Sequence, residues 1–360
     1  MKNLYALPAA LMLLLVSCKS DKKEDAEVAI DPKKTDIYAD KLNGKVKTVA
    51  ERSFTFTNGA KGAAAGEPGH FDTDLQYDAT GMLTIEKKYN AAGIANENTY
   101  KGRSNHIKET QYINGAAGMV TEHSYDKSGN VTSITRRTAS NSQIDRIEMK
   151  YKGKSIVEKN TFNNQNTPID KITYTCDKEG NIVEENIYMG TQSVKVRAVY
   201  EYDGKGHKTG ETRYSGEKLS YKTSYTYDGD KLMNKITTGP NGDTEYAEVF
   251  KYDDKGNIIK FETFEKATNT RSEEVNVYDG KGNILNVTIS NNGKMQFREM
   301  HTYDKNNNII SIMATDATGK ILNNRNYAYT YDSNNNWTKK VVNIMGEPAF
   351  IIERAITYHP

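Results

Sequence analysis

A tyrosine-aspartate pair followed by a glycine-centred turn returns about every 25 residues along almost the whole chain, and a period of that length marks a repeat architecture. The sharpest copies are Tyr125-Asp126-Lys127-Ser128-Gly129-Asn130, Tyr252-Asp253-Asp254-Lys255-Gly256-Asn257 and Tyr278-Asp279-Gly280-Lys281-Gly282-Asn283. The first aromatic of each copy sets a register: Tyr77, Tyr100, Tyr125, Tyr151, Cys176, Tyr202, Tyr227, Tyr252, Tyr278, Tyr303, Tyr331 and Tyr358, in steps of 23 to 28 residues. Only Cys176 breaks the aromatic series.

Each unit reads as strand, tight turn, strand, looser turn. Asp at the start of the tight turn accepts from backbone amides, and Gly supplies the positive φ of a type I turn with a G1 bulge. Where Gly is missing, as in Asp304-Lys305-Asn306-Asn307-Asn308 and Asp332-Ser333-Asn334-Asn335-Asn336, Asn is the next residue able to take that conformation. The looser turns carry Asn291-Asn292-Gly293, Asp316-Ala317-Thr318-Gly319 and Gly239-Pro240-Asn241-Gly242.

Between turns the polarity alternates with period two. Tyr327, Tyr329 and Tyr331 share one face with Arg325, and Tyr221, Thr223, Tyr225 and Tyr227 share the corresponding face of an earlier unit. No segment carries a helical period, so the chain reads as all-β: a tandem antiparallel hairpin array. A lone hairpin is marginal in water, so the units must stack, and about 22 to 24 twisted strands do not stay flat. The expectation is a long curled sheet or partial β-shell with tyrosines on the inner face. The segment Asn58 to His70, rich in Gly and Ala, reads as a mobile loop at the end of the array.

The N-terminus reads as a leader. Lys2 gives a positive start, Leu7 to Val16 an apolar run too short to span a bilayer, and Cys18 follows Leu15-Val16-Ser17. This resembles the lipobox of bacterial lipoproteins, which implies cleavage before Cys18, diacylation of its sulfur and acylation of the new amino terminus. Residues 1–17 are then a signal peptide. Residues 18–40 are rich in Lys, Asp and Glu and read as a flexible tether; Ser20 to Asp25 resembles a surface-display signal but fits a plain spacer equally well. Residues 41–360 form the repeat domain, and the lipid end places the protein at the outer membrane, facing either periplasm or medium.

Tandem Tyr-Asp-x-x-Gly-Asn copies, with Tyr-x-Tyr-Asp variants at Tyr200-Glu201-Tyr202-Asp203, Tyr225-Thr226-Tyr227-Asp228 and Tyr329-Thr330-Tyr331-Asp332, resemble the YD or Rhs repeat over roughly Leu42 to Pro360. In Rhs and teneurin-type proteins such repeats wind into a spiralling β-shell around a cavity. This chain is shorter than a complete shell and ends at Pro360 without a toxin or self-cleavage region, so a partial curl is expected.

Chemistry is sparse. Lys and Arg total 49 against 47 for Asp and Glu, and this balance argues against a nucleic-acid binder, which needs a basic face. No phosphate loop, dinucleotide fingerprint, zinc spacing or nucleophile elbow occurs, so neither cofactor nor metal is expected. A calcium ladder along the turn acids meets a lysine in most turns, and turn chemistry already accounts for those acids. Cys176 has no histidine in a recognisable relation and reads as packing. The remaining functional candidate is a binding surface. Trp337, the single tryptophan, lies near Tyr327, Tyr329 and Tyr331 in sequence and joins Tyr225 as a candidate for stacking on a glycan or peptide; the plain alternative is that these rings pack the concave face. The reading is a non-enzymatic, lipid-anchored envelope protein that binds a polysaccharide or envelope protein or serves as scaffold. The alternatives are a glycan-processing envelope enzyme and a remnant or accessory of an Rhs-type toxin system.

Overall fold

A computed structural model describes residues 31–57, 59–65, 70–190 and 192–360; the leader, Cys18 and most of the tether lie outside them. The described chain is almost wholly antiparallel β, with 25 strands in one sheet. Strand β1 (Val46–Thr57) is followed by a short β2 (Ala60–Ala64), β3 (Asp72–Tyr77) and β4 (Leu83–Asn90), and the meander continues hairpin by hairpin to a last strand, Glu347–Tyr358.

The sheet closes on itself, which corrects the expectation of an open or partial curl. One edge of β1 pairs with the last strand, placing Val49 opposite Ile356 and Glu51 opposite Arg354. The other edge pairs with β3, Val49 opposite Leu75. Since β2 pairs only with β1, the ring consists of the other 24 strands. The physical reason is the edge: an open array leaves two rows of unpaired amides and carbonyls, and closure removes both. At about 4.8 Å per strand such a ring has a circumference of roughly 115 Å, too wide for side chains to fill.

The turns form as their chemistry dictates. Oδ1 of Asp279 accepts from the amides of Lys281 and Asn283 at 2.8 and 2.9 Å, and Nδ2 of Asn283 donates to Oδ2 at 2.8 Å. These contacts, the Asn283 side chain foremost, hold the Asp279 carboxyl below its usual range. Gly256 and Gly282 sit at φ of 90° and 89°, and Asn307 and Asn335 take the same slot at 62°. In each unit the register slips just before the tyrosine, as between Val277 and Tyr278, which is the bulge such turns impose.

Alternation then fixes the faces. Thr226, Lys251, Val277, Thr302 and Thr330 are exposed, whereas the neighbouring tyrosines are half-buried, so the tyrosine face is the concave one. There the hydroxyls form a ladder: Tyr252, Tyr278 and Tyr303 donate to the carbonyls of Leu232, Ile258 and Ile284 at 2.8 to 2.9 Å. Each ties one tight turn to the unit before it. Cys176 takes a tyrosine's place with Sγ 3.5 Å from the Ile156 carbonyl, and burial pushes its thiol pKa up, so it stays protonated.

Two further differences from the sequence reading lie near the N-terminus. The tether expected to extend to Asp40 is folded from Pro32 onward, with a one-turn helix α1 (Asp36–Ala39) capped by Thr35. Ile37 and Leu42 enter a buried cluster with Val46, Val49, Tyr77 and Leu83, and that apolar burial offsets the ordering cost. The Asp36 carboxylate accepts from the amides of Leu83 and Arg103 at 2.7 and 2.8 Å. The expected loop 58–70 contains β2, whose Ala-rich backbone extends β1 as a hairpin.

Candidate functional site

The rim that carries the tight turns is interrupted beside the closure. Two consecutive turns, Asp304–Asn308 and Asp332–Asn336, are built around asparagine where most others use Gly. Together with Asp40 to Asn43, Trp337 and Arg354 they line a recess of about 550 Å³. Its two asparagine turns follow Tyr303 and Tyr331, which are separated by the longest register step of the repeat.

The asparagines are held in place by one another and by the ladder. The Asn43 amide donates to Oδ1 of Asn336 at 2.7 Å, and Nδ2 of Asn336 donates back to the Asn43 carbonyl at 2.8 Å. Nδ2 of Asn308 donates to the Tyr331 hydroxyl at 2.9 Å, and Tyr331 donates to Asp304. The tyrosine ladder changes partner here: Tyr329 takes the backbone carbonyl, Ile309 at 3.0 Å, and Tyr331 reaches the turn.

Trp337 sits at the base, opposite Tyr331 in register. The guanidinium of Arg354 lies 3.5 Å from the centre of its ring, and Tyr329 meets it edge-on at 6.0 Å. The Lys340 amine also lies over the ring, 5.2 Å from its centre, so two cations hold it in cation–π contact. Arg354 is itself fixed, with Nε donating to Oε2 of Glu51 at 2.7 Å. Burial alone would raise the Glu51 carboxyl, but His70 and Arg354 outweigh it and hold it at about 2. His70 Nε2 stands 3.0 Å from Oε1, an ion-pair distance without hydrogen-bond alignment. Deeper in, burial pushes the Lys340 amine below its usual value, while Glu51 works in the other direction.

Of the residues singled out from sequence, the structure brings Trp337, Tyr329 and Tyr331 together. Tyr327 lies two residues further from the rim on the same face, opposite Val342. Tyr225 stands far round the wall, over the amine of Lys208 at 4.7 Å. Cys18 lies outside the described residues. Sequence reasoning missed Asn43, Lys41, Arg354 and Glu51, which come from the two ends of the chain; the Asn-Asn-Asn runs were legible but read only as turn formers. A smaller hollow of about 300 Å³ on the wall includes Phe264, Glu262, Arg271 and Glu273, but both acids are paired with Lys260 and Arg271 covers Phe264.

The carboxylates of Asp304 and Asp332 are taken up by their own turns and by the hydroxyls of Tyr331 and Tyr358, and among the described residues no group of three or more His, Cys, Asp or Glu could hold a metal ion. The recess is thus a polar, amide-rich hollow with an aromatic edge, able to hydrogen-bond and stack.

A family model described as an uncharacterised protein matches residues 210–317. No curated protein matches the chain. Among solved structures, the crystal structure of TcdB2-TccC3 without its hypervariable C-terminal region aligns with a TM-score of 0.39 and 13% identity, over 84% of this chain and 19% of that one. A chain of the Photorhabdus luminescens Tc holotoxin pore aligns at 0.30 and 11%, over 78% and 19%. A porin-like protein from Bacteroides uniformis aligns at 0.24 and 8%, over 88% and 99%. This chain spans about a fifth of the length of the toxin chains it matches.

Proposed function

We propose that the protein is a non-enzymatic envelope protein of the YD/Rhs-repeat type, anchored to the outer membrane through lipid on Cys18, whose closed β-shell binds a glycan at the asparagine-lined recess. The observation that carries this reading is the recess itself: amide groups from two adjacent turns and from Asn43 converge beside Trp337. Side-chain amides offer donor and acceptor together, which suits vicinal hydroxyls, and an aromatic edge suits the apolar face of a sugar ring.

The outer wall supports a shell in water rather than in lipid. Lys260 pairs with Glu262 and Glu273 at 3.1 and 2.7 Å on the outward face, where lipid would make a mid-strand lysine cost roughly 2 to 4 kcal/mol. The lipid on Cys18 is then the means of attachment.

The test is to titrate the purified chain with envelope polysaccharides, measuring both binding and product release. Saturable binding that Asn334→Ala with Trp337→Ala abolishes, without turnover, is the expected result. Release of shortened saccharide would favour the enzyme alternative. Acyl labelling should disappear in Cys18→Ala; retained label would move the anchor elsewhere.

A further inference from the structure

We infer that the saccharide taken by this recess is acidic, bearing carboxylates of the uronic type; the inference rests on the glycan reading above and narrows it. The argument comes from which charges around the recess are already used.

The acids are committed. Asp40 accepts from the Tyr77 hydroxyl at 2.6 Å and from Arg103 at 2.7 Å. Asp304 receives the amides of Asn306 and Asn308 on Oδ1 at 2.8 and 2.9 Å and the Tyr331 hydroxyl on Oδ2. Asp332 receives Asn334 and Asn336 at 2.9 Å and the Tyr358 hydroxyl. Arg354 is matched by Glu51.

The lysines are not. Lys41 and Lys305 line the recess, and among the described residues no carboxylate stands within ion-pair distance of either. In the two preceding units Lys255 reaches the Gly280 carbonyl at 2.7 Å, and Lys281 reaches Oδ1 of Asn307 at 3.1 Å, each bridging from the third position of its turn to the next turn. In the turn Asp304–Asn308 that third position is Asn306, and Lys305, one place earlier, makes no such bridge. Lys41 holds a left-handed backbone, φ 55°, uncommon for a residue with a long side chain. Two unmatched ammonium groups, with no free carboxylate beside them, form an acceptor-seeking site. A sugar carboxylate supplies the charge, and its hydroxyls supply the remaining acceptors.

The experiment uses the full chain and three probes: a galacturonic acid trisaccharide, its methyl ester as neutral isostere, and a neutral galactose trisaccharide, each titrated calorimetrically. The acid should bind about tenfold more tightly than its ester at low salt, a difference that two exposed charge pairs can supply. That preference should shrink as salt rises, and Lys41→Gln with Lys305→Gln should bring acid and ester level. Melting temperature monitors the fold of the double variant, and either single variant should halve the preference on a logarithmic scale. Equal binding of acid and ester, or a preference that survives the double substitution, overturns the acidic assignment and leaves the glycan reading standing. Absence of binding to all three probes overturns both.

Discussion

The seam and the rest of the wall are held together by different physics. Around the wall, described residues contribute few fully buried apolar side chains, Ala198 and Ala314 among them, whereas Ile37, Leu42, Val46, Val49, Tyr77, Leu83, Val342 and Ile352 all lie at or beside the closure. Wall units stand in a row of like neighbours, so each can offer its successor a carbonyl for a tyrosine hydroxyl and a turn of matching shape. At the seam unlike partners meet. Strand β1 lacks the Tyr-Asp motif, and α1 with its C-cap substitutes for it, offering the Asp36 carboxylate to two amides and the Asp40 carboxylate to Tyr77. Local turn chemistry suffices where a pattern repeats; a true core is needed where it stops.

Asp36→Ala should show this difference most strongly. It leaves the buried Leu83 amide and the part-buried Arg103 amide without acceptors, at about 1 to 3 kcal/mol for the buried one and less for the other, so urea unfolding should report a loss of about 3 kcal/mol. A loss smaller than that of a wall-turn variant would erase the contrast. Acid should act at the seam next. The folded Glu51 carboxyl is depressed from 4.5 to about 2, so its stabilisation is present above about pH 4.5 and is lost as pH falls through about 2. The acid limb of a stability–pH curve should therefore be shallower for Glu51→Gln; an unchanged limb would locate acid sensitivity in the wall. Within the wall, Gly282→Val forces a β-branched residue to φ 89° and should cost roughly 1 to 3 kcal/mol. The added Cβ meets only Oδ1 of Asn257, at an ordinary 3.7 Å, so the effect is backbone strain alone. The smallest change belongs to Tyr278→Phe, which deletes one rung to Ile258 and should cost about 1 kcal/mol by thermal or urea melting.

What could be read from the sequence follows the same division. The Asp-x-x-Gly and Asp-x-x-Asn signals are local, and the positive φ at Gly256, Gly282, Asn307 and Asn335 is where those residues require it. The inward tyrosines follow from period two. Closure was not legible, because it depends on β1, a strand without the motif, recognising partners at both of its edges. Neither was the recess: Asn43 and Asn336 are 293 positions apart, and no pattern along the chain announces that contact. Trp337 was found because it is the single tryptophan, but its cover came from Arg354, an unremarked residue of the last strand. The helix at Asp36 was missed because four residues hold no period; only Thr35 before Asp36 hinted at a cap.

Closure also changes what the repeat means for assembly of the fold. Thr48 and Thr357, whose hydroxyls meet at 2.6 Å, lie 309 residues apart, so the first strand to be made must wait for the last. At translation rates of roughly 5 to 20 residues per second that wait is about 15 to 60 s, during which the edge of β1 that will take the last strand is open to wrong partners. Nor is the ring extensible as an open solenoid is. Adding or deleting one unit would alter the circumference and hence the curvature demanded of every remaining hairpin, so copy number, free to drift in a linear array, becomes here a quantised property of the molecule.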